Sequence, residues 1–335
     1  MNQDMLNRWI SIAKSKPQRI AFPESTEEKI LKAARAAQET GAIIPVYVGV
    51  EADIRAAAES FGVSLEGAEI IDNTNDEAKA ALAAKFVEAR PEAGLSEKAV
   101  IRKSKDPMYF AYAMQALHEL DSVFAGLVHT TGEVIMAAST MLGLAPGITT
   151  VSSIGIVDAP YFTGSEGNLF AFGDAAVCVD PTPEEHADIA ISACETVKAL
   201  LDWEPRCAML SFSTDGSAEH ELVDRVREAV RIANEKRPDL KIDGEFQLDA
   251  AINPELAAKK VKRESAVAGK ANILIYPNIS AGNIGVKLCQ NIGKCDAYGP
   301  ILQGFAQPTS DCSRSAPVSE LMGNIIMLAV RCVKG

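Results

Sequence analysis

Short runs of β-branched and aliphatic residues alternate along the chain with longer stretches whose apolar positions recur at helical spacing. That is the pattern of a mainly parallel sheet covered by helices. Residues 19–22 read as a first strand. Ser25 and Glu28 then have the spacing of a capping box, a helix follows and stops near Gly41, and IIPVYVG gives a second strand, so the chain opens with a βαβ unit. The same spacing rules predict strands at DSVFAGLV, TTVSSIGIV, CAMLSFS, ANILIYP and YGPILQG. They predict helices over 76–89, 107–119, 132–142, 183–200, 218–236, 282–292 and 317–333. The fold class is α/β. The breakers Pro146–Gly147 and Gly299–Pro300 mark the candidate domain changes, which makes the first domain discontinuous in sequence.

With 335 residues the chain exceeds one ordinary hydrophobic core, so two domains are expected. A formal charge of -12 argues against broad binding to nucleic acid or to an anionic membrane, both of which need a basic face. An anionic substrate would need a local basic pocket. The seven cysteines are odd in number and show no CxxC spacing, which supports neither a disulfide framework nor a zinc site and fits a reducing cytosol. The opening MNQDMLNRWISIAKSK lacks the continuous apolar core of a signal peptide, and VIMAASTMLGLAPGI is broken by Ser, Thr, Gly and Pro. A cytoplasmic protein with no membrane span is the expectation.

Three segments have the makings of a site. In DSVFAG followed by LVHTTGEVIMAAS, a strand and turn lead into a helix with Thr130 and Glu133 spaced as a capping box, and its free amides suit an anion. A capped helix without a ligand gives the same pattern, and His129 alone adds little. In ANILIYPNISAGNIGVK, a buried strand leads through a loop with Gly282, Asn283 and Gly285 into a helix carrying Lys287. Ordinary turn glycines explain it equally well. In TSDCSRSAPVSEL, Ser313 and Arg314 form a polar turn before a helix with Pro317 at its start. There the guanidinium fork suits phosphate, the hydroxyl suits a developing oxyanion, and Glu320 is either a base or a partner of the helix dipole. No nucleophile with an adjacent base is legible. From residues alone the chain is an α/β enzyme with an anion-binding cleft.

The blocks KDPMYFAYAM, AGLVHTTGEV, APGITTVSSIGI, DPTPEEHADIAISACETVKAL, PRCAMLSFSTDGS, IDGEFQLDAAINPELAAKK, AGKANILIYPNISAGNIGVKL, YGPILQG and DCSRS occur in this order along nearly the whole chain. In them the chain resembles the phosphate acetyl/butyryl transferase family, and within it the acetyltransferases. The resemblance implies a two-domain, three-layer α/β fold similar to isocitrate and isopropylmalate dehydrogenases, with an interdomain cleft. Domain 1 would span 1–148 plus 301–335 and domain 2 would span 149–300. It implies reversible acetyl transfer between acetyl phosphate and coenzyme A by direct thiolate attack in a ternary complex. Coenzyme A is then a substrate, with no tightly bound cofactor, and the chain pairs as a homodimer; no metal is expected because no ligand set with metal spacing appears in the sequence. Catalytic roles fall to Ser313, Arg314 and Glu320. Substrate-binding roles fall to Arg90, His129, Thr130, Thr131, Gly282, Asn283, Lys287 and Tyr298.

This chain departs from the family pattern at Met136 and Asn291, where the family commonly has arginines, and at Glu320, where the acetyltransferases place an Asp as thiol base. Three alternatives stay open: transfer of a longer acyl group such as butyryl, a non-catalytic acetyl-CoA-sensing module, and a nicotinamide-dependent decarboxylating dehydrogenase of similar architecture.

Overall fold

Residues 3–334 are described by a computed structural model. The chain begins with helix α1 (Gln3–Lys14), then strand β1 (Gln18–Phe22), α2 (Glu28–Glu39), β2 (Ile43–Val48), α3 (Glu51–Ser60) and β3 (Glu69–Ile71). Next come α4 (Asp76–Ala89), α5 (Glu97–Lys103), α6 (Pro107–Ala116), β4 (Ser122–Val123) and α7 (Thr131–Met141). The middle of the chain holds β5 (Ser152–Asp158), β6 (Leu169–Gly173), α8 (Pro183–Leu201), β7 (Arg206–Leu210), α9 (Glu221–Lys236) and β8 (Lys241–Phe246). It continues with α10 (Leu248–Ile252), α11 (Pro254–Lys260), β9 (Ile273–Ile275), α12 (Ile279–Asn291) and β10 (Asp296–Gln303), and the chain closes with α13 (Val318–Lys334). Two compact units result. One joins the residues up to Pro146 with those from Phe305 onward, and the other is Gly147–Gly304.

In the first unit the strands pair in the order β3-β2-β1-β4, all parallel. Helices α1, α2 and α13 pack together as one group, and α4, α6 and α7 form another. Helix α6 follows an Asp106 cap that accepts from Met108 N at 2.8 Å, with Pro107 in its first turn. It is apolar nearly all round and buried from Phe110 to Ala116, as expected of a helix enclosed by its neighbours. Helix α13 buries Leu321 and residues 323–330 mainly against α2 and α1. The capping box expected at Ser25 and Glu28 does not form. Helix α2 has Glu27 as its cap residue with no side-chain cap, and Ser25 Oγ donates to Phe22 O and Val48 O. The hydroxyl is buried beside strand-end carbonyls and goes to them.

In the second unit the order is β10-β5-β6-β9-β7-β8. The pairs from β6 through β9 and β7 to β8 are parallel, while β10 with β5 and β5 with β6 are antiparallel. Antiparallel neighbours need no crossover helix, and β6 follows β5 by a direct return, whereas β10 comes back to β5 only after the rest of the unit. Phe170, Phe172, Leu210, Phe246, Val267 and Leu274 share its core cluster.

Candidate active site

Parallel pairing of β1 with β4 sets Ala21 opposite Val123. Continuing that register by three residues brings Glu24 to Gly126, and there the Glu24 carboxylate turns into the protein, its side chain 1% exposed. It accepts the amides of Gly126 (3.2 Å), Leu127 (2.8 Å), Val128 (2.9 Å) and His129 (2.9 Å). His129 Nδ1 lies 2.9 Å from the same carboxylate, and His129 Nε2 faces Asp106 Oδ2 at 3.9 Å. A buried carboxylate is tolerable because so many charge-assisted bonds replace its hydration. The expected capping box at Thr130 and Glu133 does form, with Thr130 N donating to Glu133 Oε2 at 2.7 Å. The amides of residues 126–130 are thus taken by the protein's own carboxylates.

A second buried carboxyl, Asp311, lies on the segment that returns beside β4 through the parallel bridge of Phe124 with Ser310. Asp311 is 2% exposed. Thr131 Oγ1 donates to its Oδ2 at 2.5 Å, while Oδ1 is buried without a well-formed hydrogen bond. Gly126 is why it fits. A Cβ there would stand 1.9 Å from Asp311 Oδ1. Burial pushes the Asp311 carboxyl up to about 6, with Glu24 adding to the rise and Thr131, the Cys312 amide and Arg314 opposing it.

From this anchor the chain emerges as an exposed turn, Ser313, Arg314 and Ser315. Ser313 Oγ and Ser315 Oγ are 2.9 Å apart, and Lys29 of α2 donates to the carbonyls of Arg314 (3.2 Å) and Ala316 (3.1 Å). The carbonyl of Pro317 accepts the Glu320 amide at 3.0 Å as α13 begins, which places half-buried Glu320 in the first turn of the helix. Buried Cys312 is an unsuitable nucleophile, because burial raises its thiol far above the usual range, helped by Glu24, Asp311 and Glu320.

Arg90 has a different task from the one expected. Its guanidinium donates to Leu142 O at 2.7 Å and Met141 O at 3.3 Å and pairs with Glu92, so it closes the C-terminus of α7, the end away from Thr131. By contrast the Arg314 guanidinium has no close acceptor among the described residues. Its charge is nonetheless felt by Asp311 and Glu133. Met136 is 61% exposed on α7.

The candidates in the second unit do not gather into a phosphate loop. Helix α12 starts at Ile279, capped by Asn278 accepting from Ala281 N at 3.0 Å, so Gly282, Asn283 and Gly285 are helical. Gly282 is required for packing, because a Cβ would meet Asp174 O at 2.3 Å. Asn283 Nδ2 reaches Ala175 O at 3.4 Å, Lys287 is exposed beside Gln290, and Asn291 donates to Lys287 O at 2.9 Å. Tyr298 is 4% exposed, on β10 opposite Ile156. A separate crevice in this unit is lined by Asp180, His186, Phe212, Leu222, Arg225 and Asn278, none of them expected from sequence.

Sequence reasoning missed Glu24, Asp311 and Lys29. Glu24 had one available signal, a carboxylate just past the carboxyl end of a buried strand, where α/β sheets build sites. Among the described residues no group of three or more His, Cys, Asp or Glu could hold a metal ion, and no helix is long and apolar enough to cross a membrane.

A phosphate acetyltransferase of Thermoanaerobacterium thermosaccharolyticum is 42% identical over 322 residues, covering 96% of this chain and 97% of that one. The crystal structure of a phosphotransacetylase from Streptococcus pyogenes matches with a TM-score of 0.91 at 32% identity, over 100% of both chains. A 4-hydroxythreonine-4-phosphate dehydrogenase from Klebsiella pneumoniae shares the fold alone, with a TM-score of 0.54 at 11% identity over 95% of this chain and 100% of that one. The family model for Phosphate acetyl/butaryl transferase spans residues 4–329, and with a carboxylate-anchored Ser–Arg turn inside that span, the chain belongs to this family.

Proposed function

We propose that the protein catalyses reversible transfer of an acetyl group between acetyl phosphate and coenzyme A. The observation that carries this is the exposed Ser313–Arg314 turn, held by Lys29 and Asp311, with its guanidinium still open to an anion while that of Arg90 is committed to α7. Arg314 holds the phosphoryl oxygens through its planar fork. Ser313 donates to the carbonyl oxygen as charge develops there. A carboxylate, for which Glu320 is the candidate, takes the thiol proton. The thiolate then forms the sulfur–carbon bond, and the bond from carbon to the phosphate oxygen breaks, with the electron pair leaving on phosphate. A thiol pKa near ~8.5 means that modest help suffices at neutral pH. The protein acts in the cytoplasm.

Supporting a homodimer, Ile284 (59%) and Leu288 (51%) on α12 and Ile292 (76%) at its C-cap are exposed at four-residue spacing, an apolar stripe that a second copy would cover. Light scattering that finds a monomer at micromolar concentration would remove this claim. The reaction itself is tested by ultraviolet absorbance of the thioester when protein, acetyl phosphate and coenzyme A are mixed. Absence of thioester with folded protein would overturn it, and faster formation from butyryl phosphate would reassign the acyl group.

A further inference from the structure

Residues 126–129 lie between β4 and α7, and all four of their amides are held by Glu24. Gly126 at one end of this loop packs on Asp311 Oδ1, and Thr131 just beyond the other end bonds Asp311 Oδ2. Asp311 in turn precedes the Ser313–Arg314 turn by two residues. A chain of contacts therefore runs from the carboxyl end of β1 to the two residues assigned to phosphate and carbonyl.

We propose that Glu24 is a positioning residue for the reaction: it fixes the 126–129 loop on which Asp311 rests, and so sets the place of Ser313 and Arg314 without touching substrate. This inference rests on the acetyl-transfer reading for what the turn does, but not for how the turn is held. The geometry also ties the electrostatics of the two carboxyls together. Burial raises Asp311 and Glu24 adds to the rise, while Thr131, the Cys312 amide and Arg314 lower it. Tyr112 of α6 faces both carboxyls, and burial keeps it un-ionised. Cys312 stays a thiol, with Lys29 and Glu320 acting on it from α2 and α13. His129 faces Glu24 and Asp106.

Glu24→Gln tests this. The amide keeps the volume but presents a donor to donors, so the loop loses part of its anchor and Asp311 loses a negative neighbour. Hydrogen exchange without substrate should quicken in 124–131 and also in 310–317. Turnover with acetyl phosphate and coenzyme A should fall ~10-fold or more, since a misplacement of about 1 Å is costly in catalysis. KM for coenzyme A should stay near the wild-type value while KM for acetyl phosphate rises, and any acid limb of turnover due to Asp311 should move to lower pH. If exchange quickens only in 124–131, or if a folded variant melts lower yet keeps wild-type turnover, KM values and acid limb, Glu24 is merely structural and the proposal is overturned. Should Glu24→Gln fail to fold, Glu24→Asp, which keeps the charge and withdraws it by one methylene, is decided by the same outcomes. Wild-type protein that makes no thioester would sink the acetyl-transfer reading, and the exchange data would still decide the positioning role.

Discussion

Replacing Gly126 with alanine should dislodge the Ser313–Arg314 turn while sparing most of the fold. Gly126 has φ +112, a conformation that costs an L side chain ~1–3 kcal/mol. The new Cβ would lie 1.9 Å from Asp311 Oδ1 and 2.8 Å from Cys312 N, and the second contact is to backbone, which yields less readily than a side-chain end. Relieving such overpacking costs a further ~1–3 kcal/mol. Together these lower the melting temperature by roughly 4–24 °C for a unit of this size. To regain ordinary contact Asp311 must retreat by about 1.5 Å, and the turn with it, so turnover should fall ~10²-fold. Gly62→Ala is the control, because φ is +66 there and nothing lies within 4 Å of the added Cβ. It should show the backbone cost with unchanged turnover. Thermal unfolding and thioester formation are measured on both. A Gly126→Ala protein with turnover within about threefold of wild type would mean that Asp311 does not position the turn.

Arg314→Lys keeps the charge but loses the bidentate fork, so turnover should drop strongly in a folded protein, and near-normal turnover and phosphate affinity would place the active centre elsewhere. Ser313→Ala should lose ~10²–10³ in turnover if the hydroxyl meets the oxyanion. Stability should show two opposed pH dependences. Burial lowers His186 from 6.5 to about 4, so its contribution is full above pH 6.5 and is lost as pH falls toward 4. Asp311 rises from 3.8 to about 6, so its contribution is full below pH 3.8 and is lost as pH rises through 6. In denaturant unfolding, His186→Gln should lessen the loss on acidification, and Asp311→Asn should gain relative to wild type as pH rises, each by on the order of 2–3 kcal/mol. Slopes of the opposite sign would refute the assignments. Chelator treatment should leave acetyl transfer intact, and loss restored by one divalent ion would count against the mechanism.

Sequence by itself determined what neighbours along the chain decide. Helix α4 occupies 76–89 as its apolar spacing predicts, Thr130 and Glu133 close their box across three residues, and the Ser313–Arg314 turn precedes the last helix. Such bonds form within one turn of backbone, so residue type and spacing specify them. Strands β3, β6 and β8 were not anticipated, β8 because the polar residues Lys241, Asp243, Gly244 and Glu245 give no strand signal although the strand pairs at the sheet edge with β7. Only the tertiary structure decided which charged groups meet. Glu24 reaches amides 102–105 residues away, Asp311 meets Thr131 across 180, and Arg90 is drawn to a helix end 52 residues on. The physical reason is strand order. Once β1 and β4 are parallel neighbours with Ala21 opposite Val123, their carboxyl ends open on the same edge, and a carboxylate leaving one strand falls onto the amides leaving the other.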